Sequence, residues 1–336
     1  MDNVCLLVGN GMTIDFIRNE KRNKIINLDS SKPLSNFGSE RISYESFIDN
    51  LPLVRDHLIP LSRQLNDDFE AIRIFLENKN CSQEFKERDY QLRRFLALSY
   101  SLFQLELDNN IWINWPWMKW LKKYKKNLSC VISFNYDILL EKSLKLVQHQ
   151  NPYKRIGVIE ENGINALPII KPHGSIEFDL KGFEVQGDAA WSMKFFNNQM
   201  IFNGEPSITA LPQEKWLMPR LQPDIIPPTQ ENYNKLKLNW VKYCFEFYKQ
   251  HNQRIPINHF VIVGHSYSEC DREEINDFID SLKPGCKFYI INRTYDDKIE
   301  EMIDYIENRK HIVVTEPGTE PPEIHLESLE SKLTRV

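Results

Sequence analysis

The cysteines of this chain form no C-x-x-C pair: all six, Cys5, Cys81, Cys130, Cys244, Cys270 and Cys286, are scattered. That spacing argues against a zinc ribbon and against a thioredoxin-like redox site. Long apolar runs are missing too. Nothing approaches the roughly 18 residues that span a bilayer, and the first residues lack the basic start of a secretory leader. A cytoplasmic protein with free thiols is expected. There is no excess of positive charge, the net charge being -5 over 336 residues, so direct nucleic-acid binding is not expected. The lysines between Lys119 and Lys126 read as the carboxyl end of a helix, where cations complement the dipole. The chain holds no Walker A motif, no H-E-x-x-H, no EF-hand loop and no internal repeat.

What is present is a set of five short apolar runs, each ending in residues suited to holding a nucleotide. Val4–Val8 leads to Gly9-Asn10-Gly11, Cys130–Phe134 to Asn135-Tyr136-Asp137, and Pro168–Ile170 to Lys171-Pro172-His173-Gly174-Ser175. Phe260–Val263 leads to Gly264-His265-Ser266, and Phe288–Ile291 to Asn292-Arg293. Helical patterns follow several of these runs, at 138–148, 271–282 and 297–308. Strict alternation of this kind predicts an α/β fold, a Rossmann-like parallel sheet with a helical insertion. In such sheets ligands gather outside the carboxyl ends of the strands.

Residues 1–43 and 127–336 are expected to form the Rossmann-like nucleotide-binding domain, interrupted by a helical insertion over 44–126. Within the insertion Phe69, Ile72, Phe75, Leu76 and Leu92, Phe95, Leu96, Phe103 fall at helical spacing. Trp112, Trp115, Trp117 and Trp120 are expected to pack against a neighbouring element rather than to face a ligand. Residues 176–229 end in Pro223-Asp224-Ile225-Ile226-Pro227-Pro228-Thr229 and read as an irregular loop, a candidate lid.

Each motif has a plain structural reading beside the functional one. The Gly9 and Gly11 pair lets backbone approach a pyrophosphate at a helix amino terminus, but a tight strand-to-helix turn needs the same glycines. Asn135 also suits a helix cap, and His173 also suits an ordinary loop. Gly264-His265-Ser266-Tyr267-Ser268 is close to a nucleophile elbow, but Ser268 stands where that motif has its last glycine.

In order and spacing these islands resemble the sirtuin fold family, over residues 4 to about 315. The matching segments are Gly9-Asn10-Gly11, Ser133-Phe134-Asn135-Tyr136-Asp137, His173-Gly174-Ser175, Gly264-His265-Ser266 and Ile291-Asn292. Two departures stand out. Between His173 and Gly264 only Cys244 is present, so the four-cysteine zinc module of deacylating sirtuins is lacking and no zinc is expected. The glycine loop reaches Asp15-Phe16 almost at once. The Phe-Asn-Tyr-Asp form and the stretch from Gly264 to Asp271 look more like the sirtuin-like NAD hydrolases of bacterial anti-phage defence.

That resemblance implies NAD+ as substrate, cleaved to nicotinamide and ADP-ribose in an abortive-infection response. It implies catalytic roles for Asn135, holding water and a ribose hydroxyl, and for His173 as base. It places Asp137 at the turn or the nicotinamide carboxamide, and Gly264, His265, Ser266, Asn292 and Arg293 around the adenosine half. Asp15 and Phe16 become pocket walls. Control by homo-oligomerisation or by a HerA-like ATPase partner is likewise implied. The competing expectations are an NAD-dependent protein deacylase and a non-catalytic subunit that senses NAD or ADP-ribose.

Overall fold

The computed structural model describes residues 2–22, 30–34, 48–77, 83–108, 114–148, 153–158, 161, 166–180, 208–218, 223–227, 239–315 and 318–326. Its centre is β1 (Val4–Val8), an apolar run whose five residues are all buried. Such a run without polar alternation needs cover on both faces. Val4, Leu6 and Val8 enter one core, whereas Cys5 and Leu7 enter a second core on the opposite face.

β1 pairs in parallel with β2 (Leu128–Ser133) on one side and with β8 (His259–Val263) on the other. β4 (Leu167–Ile170) and β3 (Tyr153–Arg155) extend the first side. β9 (Lys287–Ile291) and β10 (Ile312–Thr315) extend the second. The order is β3-β4-β2-β1-β8-β9-β10, entirely parallel, which is the doubly wound α/β class that the alternation predicts.

One layer of helices begins with α1 (Asn10–Arg22), which packs Met12, Phe16 and Ile17 under β1. The same layer contains a π-helical turn at Val54–Leu58, α2 (Ile59–Leu65), α3 (Asp68–Glu77), α4 (Gln83–Leu107), α5 (Pro116–Tyr124) and α6 (Leu139–Gln148). The insertion expected over 44–126 therefore shares one continuous core with the sheet instead of folding around its own. The other layer is α7 (Asn239–Arg254), α8 (Glu269–Asp280) and α9 (Asp297–Asn308). α1 and α8 follow the adjacent strands β1 and β8 yet lie on opposite faces. The crevice of the sheet opens between those two strand ends.

Trp115, Trp117 and Trp120 are buried, as the packing reading predicts, and Trp112 lies outside the described residues. Lys122 and Lys123 occupy the last turn of α5, in the position a helix dipole favours. The expected irregular lid is corrected in part. Within it β5 (Gly174–Leu180), β6 (Ile208–Ala210) and β7 (Pro223–Ile225) form a small antiparallel sheet in the order β6-β5-β7. Residues 181–207, 219–222 and 228–229 lie outside the described residues. Cys5, Cys130, Cys244, Cys270 and Cys286 are unpaired thiols, and Cys81 falls outside the described residues. Among the described residues no helix is long and apolar enough to cross a membrane.

Candidate active site

A cleft of about 810 Å³ opens at the carboxyl ends of β1, β2, β4, β8 and β9. Gly9, Asn10, Gly11, Asn135, Asp137, His173, Gly264, His265, Ser266, Asn292 and Arg293 all line it. Five separate strand ends thus converge on one volume, within the size range of small-molecule sites. The insertion adds Asp67, Phe69, Glu70 and Arg73.

The glycines are explained first by contact between loops. A Cβ on Gly11 would lie 2.5 Å from Gly264 Cα, and Gly264 has a φ of +59°. Gly9 N–H donates to Val263 O at 2.9 Å and Gly11 N–H to Gly264 O at 2.8 Å. These two amides are engaged in joining the β1 and β8 loops and are not turned to a phosphate. The tight-turn reading accounts for them, while they still form the floor of the cleft.

Asn135 follows β2, and its amide is oriented by what it touches. One nitrogen, Nδ2, donates to Gly9 O at 3.1 Å and to Thr13 Oγ1 at 3.1 Å. A carbonyl only accepts, so the nitrogen must face Gly9 and Oδ1 is the atom left to receive a donor. Thr13 Oγ1 in turn donates to Asp137 Oδ2 at 2.9 Å, and Asp137 Oδ1 accepts from Leu139 N–H at 3.1 Å. Asp137 therefore orders the turn into α6, with each of its oxygens already accepting one hydrogen bond. Burial pushes its carboxyl above the usual range, with Lys171 opposing.

His173 sits in the turn after β4, where Gly174 N–H closes on Lys171 O and Gly174 takes a φ of +83° that a side chain would strain. Lys171 is fully buried and donates to Asp137 O at 2.7 Å and to Glu141 Oε1 at 2.8 Å. That pair ties the histidine turn to α6. His173 is 4 % exposed, and its Nε2 lies 2.9 Å from Glu274 Oε2 and 3.7 Å from Asp271 Oδ1.

His265 is the companion ring. Its Nδ1 accepts from Tyr267 N–H at 3.0 Å, which places the ring proton on Nε2, facing Asp271 Oδ2 at 3.5 Å. Burial lowers its pKa, while Asp271 acts in the other direction. Phe134 makes a T-shaped contact with each of the two rings, centroids 4.8 Å apart. Asn292 Nδ2 donates to His265 O at 2.8 Å, so Asn292 braces this loop as well as lining the cleft. Ser266 and Arg293 are exposed on the rim.

Asp15 and Phe16 do not line the cleft. Asp15 Oδ2 accepts from Trp115 Nε1 at 3.0 Å, and Phe16 is fully buried with its ring edge-on to Trp115 at 5.1 Å. Both face the insertion because they lie on the core side of α1. Cys270 lines the cleft, but its thiol is pushed up to about 11, mainly by burial, which disfavours a nucleophilic thiolate. Thr13, Asp271 and Glu274 are among the members that the sequence reading missed, as are the charged lining residues Asp67, Glu70, Arg73, Glu269, Asp296 and Lys298. The signal for Glu274 is a carboxylate placed one residue before Ile275 on the apolar side of α8.

Among the described residues no group of three or more His, Cys, Asp and Glu side chains is arranged to hold a metal ion. The two imidazoles and two carboxylates face one another instead. No family model matches the chain, and no curated protein matches it.

Proposed function

We propose that the cleft cleaves NAD+ to nicotinamide and ADP-ribose. The observation that carries this reading is the meeting of Asn135 and His173, from two different strand ends, on one cleft at the switch point between β1 and β8. In this reading the nicotinamide riboside lies between those two side chains, and the adenosine half runs toward Gly264, Ser266, Asn292 and Arg293. Arg73, Arg293 and Lys298 on the lining supply positive charge for the pyrophosphate.

The bond broken joins ribose C1′ to the pyridinium nitrogen, which keeps the electron pair and leaves as neutral nicotinamide. No acid is needed to protonate it, unlike the leaving group of an ordinary glycosidase. Water adds to C1′, and its proton passes to His173 and then to solvent. Asn135 Oδ1 accepts from that water or from a ribose hydroxyl. Asp67, Glu70, Glu269, Asp271 and Asp296 on the cleft walls favour the positive charge that develops on the ribose.

The test is incubation of the purified protein with NAD+ and no peptide, following nicotinamide and ADP-ribose by chromatography. His173→Ala and Asn135→Ala should each remove the about 10²- to 10⁴-fold that a positioned catalytic group supplies, with unchanged circular dichroism. Release that requires an acylated peptide supports the deacylase reading instead. Binding without turnover in every condition supports a sensing subunit. The anti-phage role, homo-oligomerisation and a HerA-like ATPase partner belong to the same proposal, supported by the resemblance of the strand-end motifs.

A further inference from the structure

Glu274 occupies an unusual place for a carboxylate. It lies in the buried stripe of α8 with Ile275, Phe278 and Ile279, and is 1 % exposed. A lone charge there is costly, so such a group is held by a partner. The partner is His173, whose Nε2 lies 2.9 Å from Glu274 Oε2. The second carboxylate oxygen, Oε1, has no hydrogen-bond partner among the described residues. Phe134 packs against the ring in a T-shaped contact, with centroids 4.8 Å apart and planes at 82°.

The charged and titratable groups around Glu274 come from several elements. His173 faces it from the turn after β4, while Asp271 and Asp277 act from its own helix. His265 joins through Asp271, and Tyr136, from the loop after β2, feels both Asp271 and Glu274. Burial raises the Glu274 carboxyl, and the His173 imidazole opposes that rise without cancelling it.

We infer that Glu274 is the positioning residue of the site: it holds the His173 proton on Nε2 and stabilises the imidazolium formed when the ring accepts a proton. Basicity then resides on Nδ1. This is the physical role of a buried carboxylate behind a catalytic imidazole, which orients and stabilises the ring without itself taking the proton. The chemical consequence rests on the NAD-cleaving reading, whereas the coupling of the two side chains is measurable without it.

Two measurements on Glu274→Gln, which keeps shape and removes charge, test the inference. The first is the titration of the His173 ring by NMR, with His173→Ala used to assign the signal. Loss of the facing charge should lower the pKa of the ring by about one unit or more. The second is the pH profile of NAD+ cleavage. The acid limb of kcat/KM should move to lower pH, because the ring then loses its proton more easily, and kcat should fall at least about tenfold with KM little changed. Glu274→Asp, which keeps the charge, should retain the ring titration and recover part of the rate. It also serves if the Gln variant fails to fold. An unmoved His173 titration overturns the inference, as does an unaltered pH profile in an active Gln variant. If the wild-type protein cleaves no NAD+, the functional reading fails while the NMR titration still decides whether Glu274 controls His173.

Discussion

At the scale of single residues, the site depends on a short chain of hydrogen bonds that starts at Thr13. Its hydroxyl accepts from Asn135 and donates to Asp137, so one buried oxygen sets the direction of the amide. Thr13→Val keeps the shape and deletes both bonds. We expect a loss of about 1–3 kcal/mol in urea unfolding, because a buried acceptor and donor lose a partner. NAD+ cleavage should fall through kcat more than through KM, since Asn135 keeps only its bond to Gly9. A variant with wild-type stability and rate contradicts this role. Asn135 and His173 were legible in the sequence because each follows an apolar run that had to be a strand. Thr13 was not, since a polar residue within α1 looks like any other until its neighbour 124 positions away is known. Likewise the pairing of Gly11 with Gly264 is a contact between distant loops, and spacing within one motif does not encode it.

At the scale of elements, the buried pair of Lys171 and Glu141 locks the His173 turn to α6. Lys171→Met leaves Glu141 as a buried, unpaired charge and should cost about 3–5 kcal/mol of unfolding free energy. Adding Glu141→Leu should restore most of that loss, because the charge that lacked a partner is gone. Additive losses in the double variant contradict the pairing. The element boundaries divide along the same physical lines. β1, β2, β4, β8 and β9 are buried on both faces over nearly all of their length and therefore read as mainly apolar runs. β3, with Tyr153, Lys154 and Arg155, has no such run, and β7 opens on Pro223, which a strand tolerates only at its start or edge. β5 did carry a signal in the alternation of Ile176 and Phe178 with Glu177 and Asp179, masked by the irregular composition that follows.

At the scale of the whole molecule, the sheet, the insertion and the carboxyl-terminal segment share one core. Residues 318–326 lie along α5, where Trp117 Nε1 donates to Thr319 O at 3.2 Å and Trp120 Nε1 to Pro322 O at 2.8 Å. Tyr124 OH donates to Ile324 O and accepts from Ile324 N–H, and Ile324 is buried. Deleting residues 318–336 should lower the stability by at least the roughly 1.5–3 kcal/mol of that one side chain. The emission of Trp117 and Trp120 should shift to the red as water reaches their rings. Unchanged melting and emission contradict a clasp at this position. The tryptophans thus serve packing, as their helical context indicated, but the segment they hold lies about 200 residues away and was not readable from them.

The central claim concerns the cleft at the switch point, where Asn135 and His173 meet. It is tested most directly by the time course of nicotinamide release from NAD+ with no peptide present, for the wild-type protein and for Asn135→Ala and His173→Ala. The account predicts release by the wild type with stoichiometric ADP-ribose, and loss of release in both folded variants. Full turnover in either variant contradicts it.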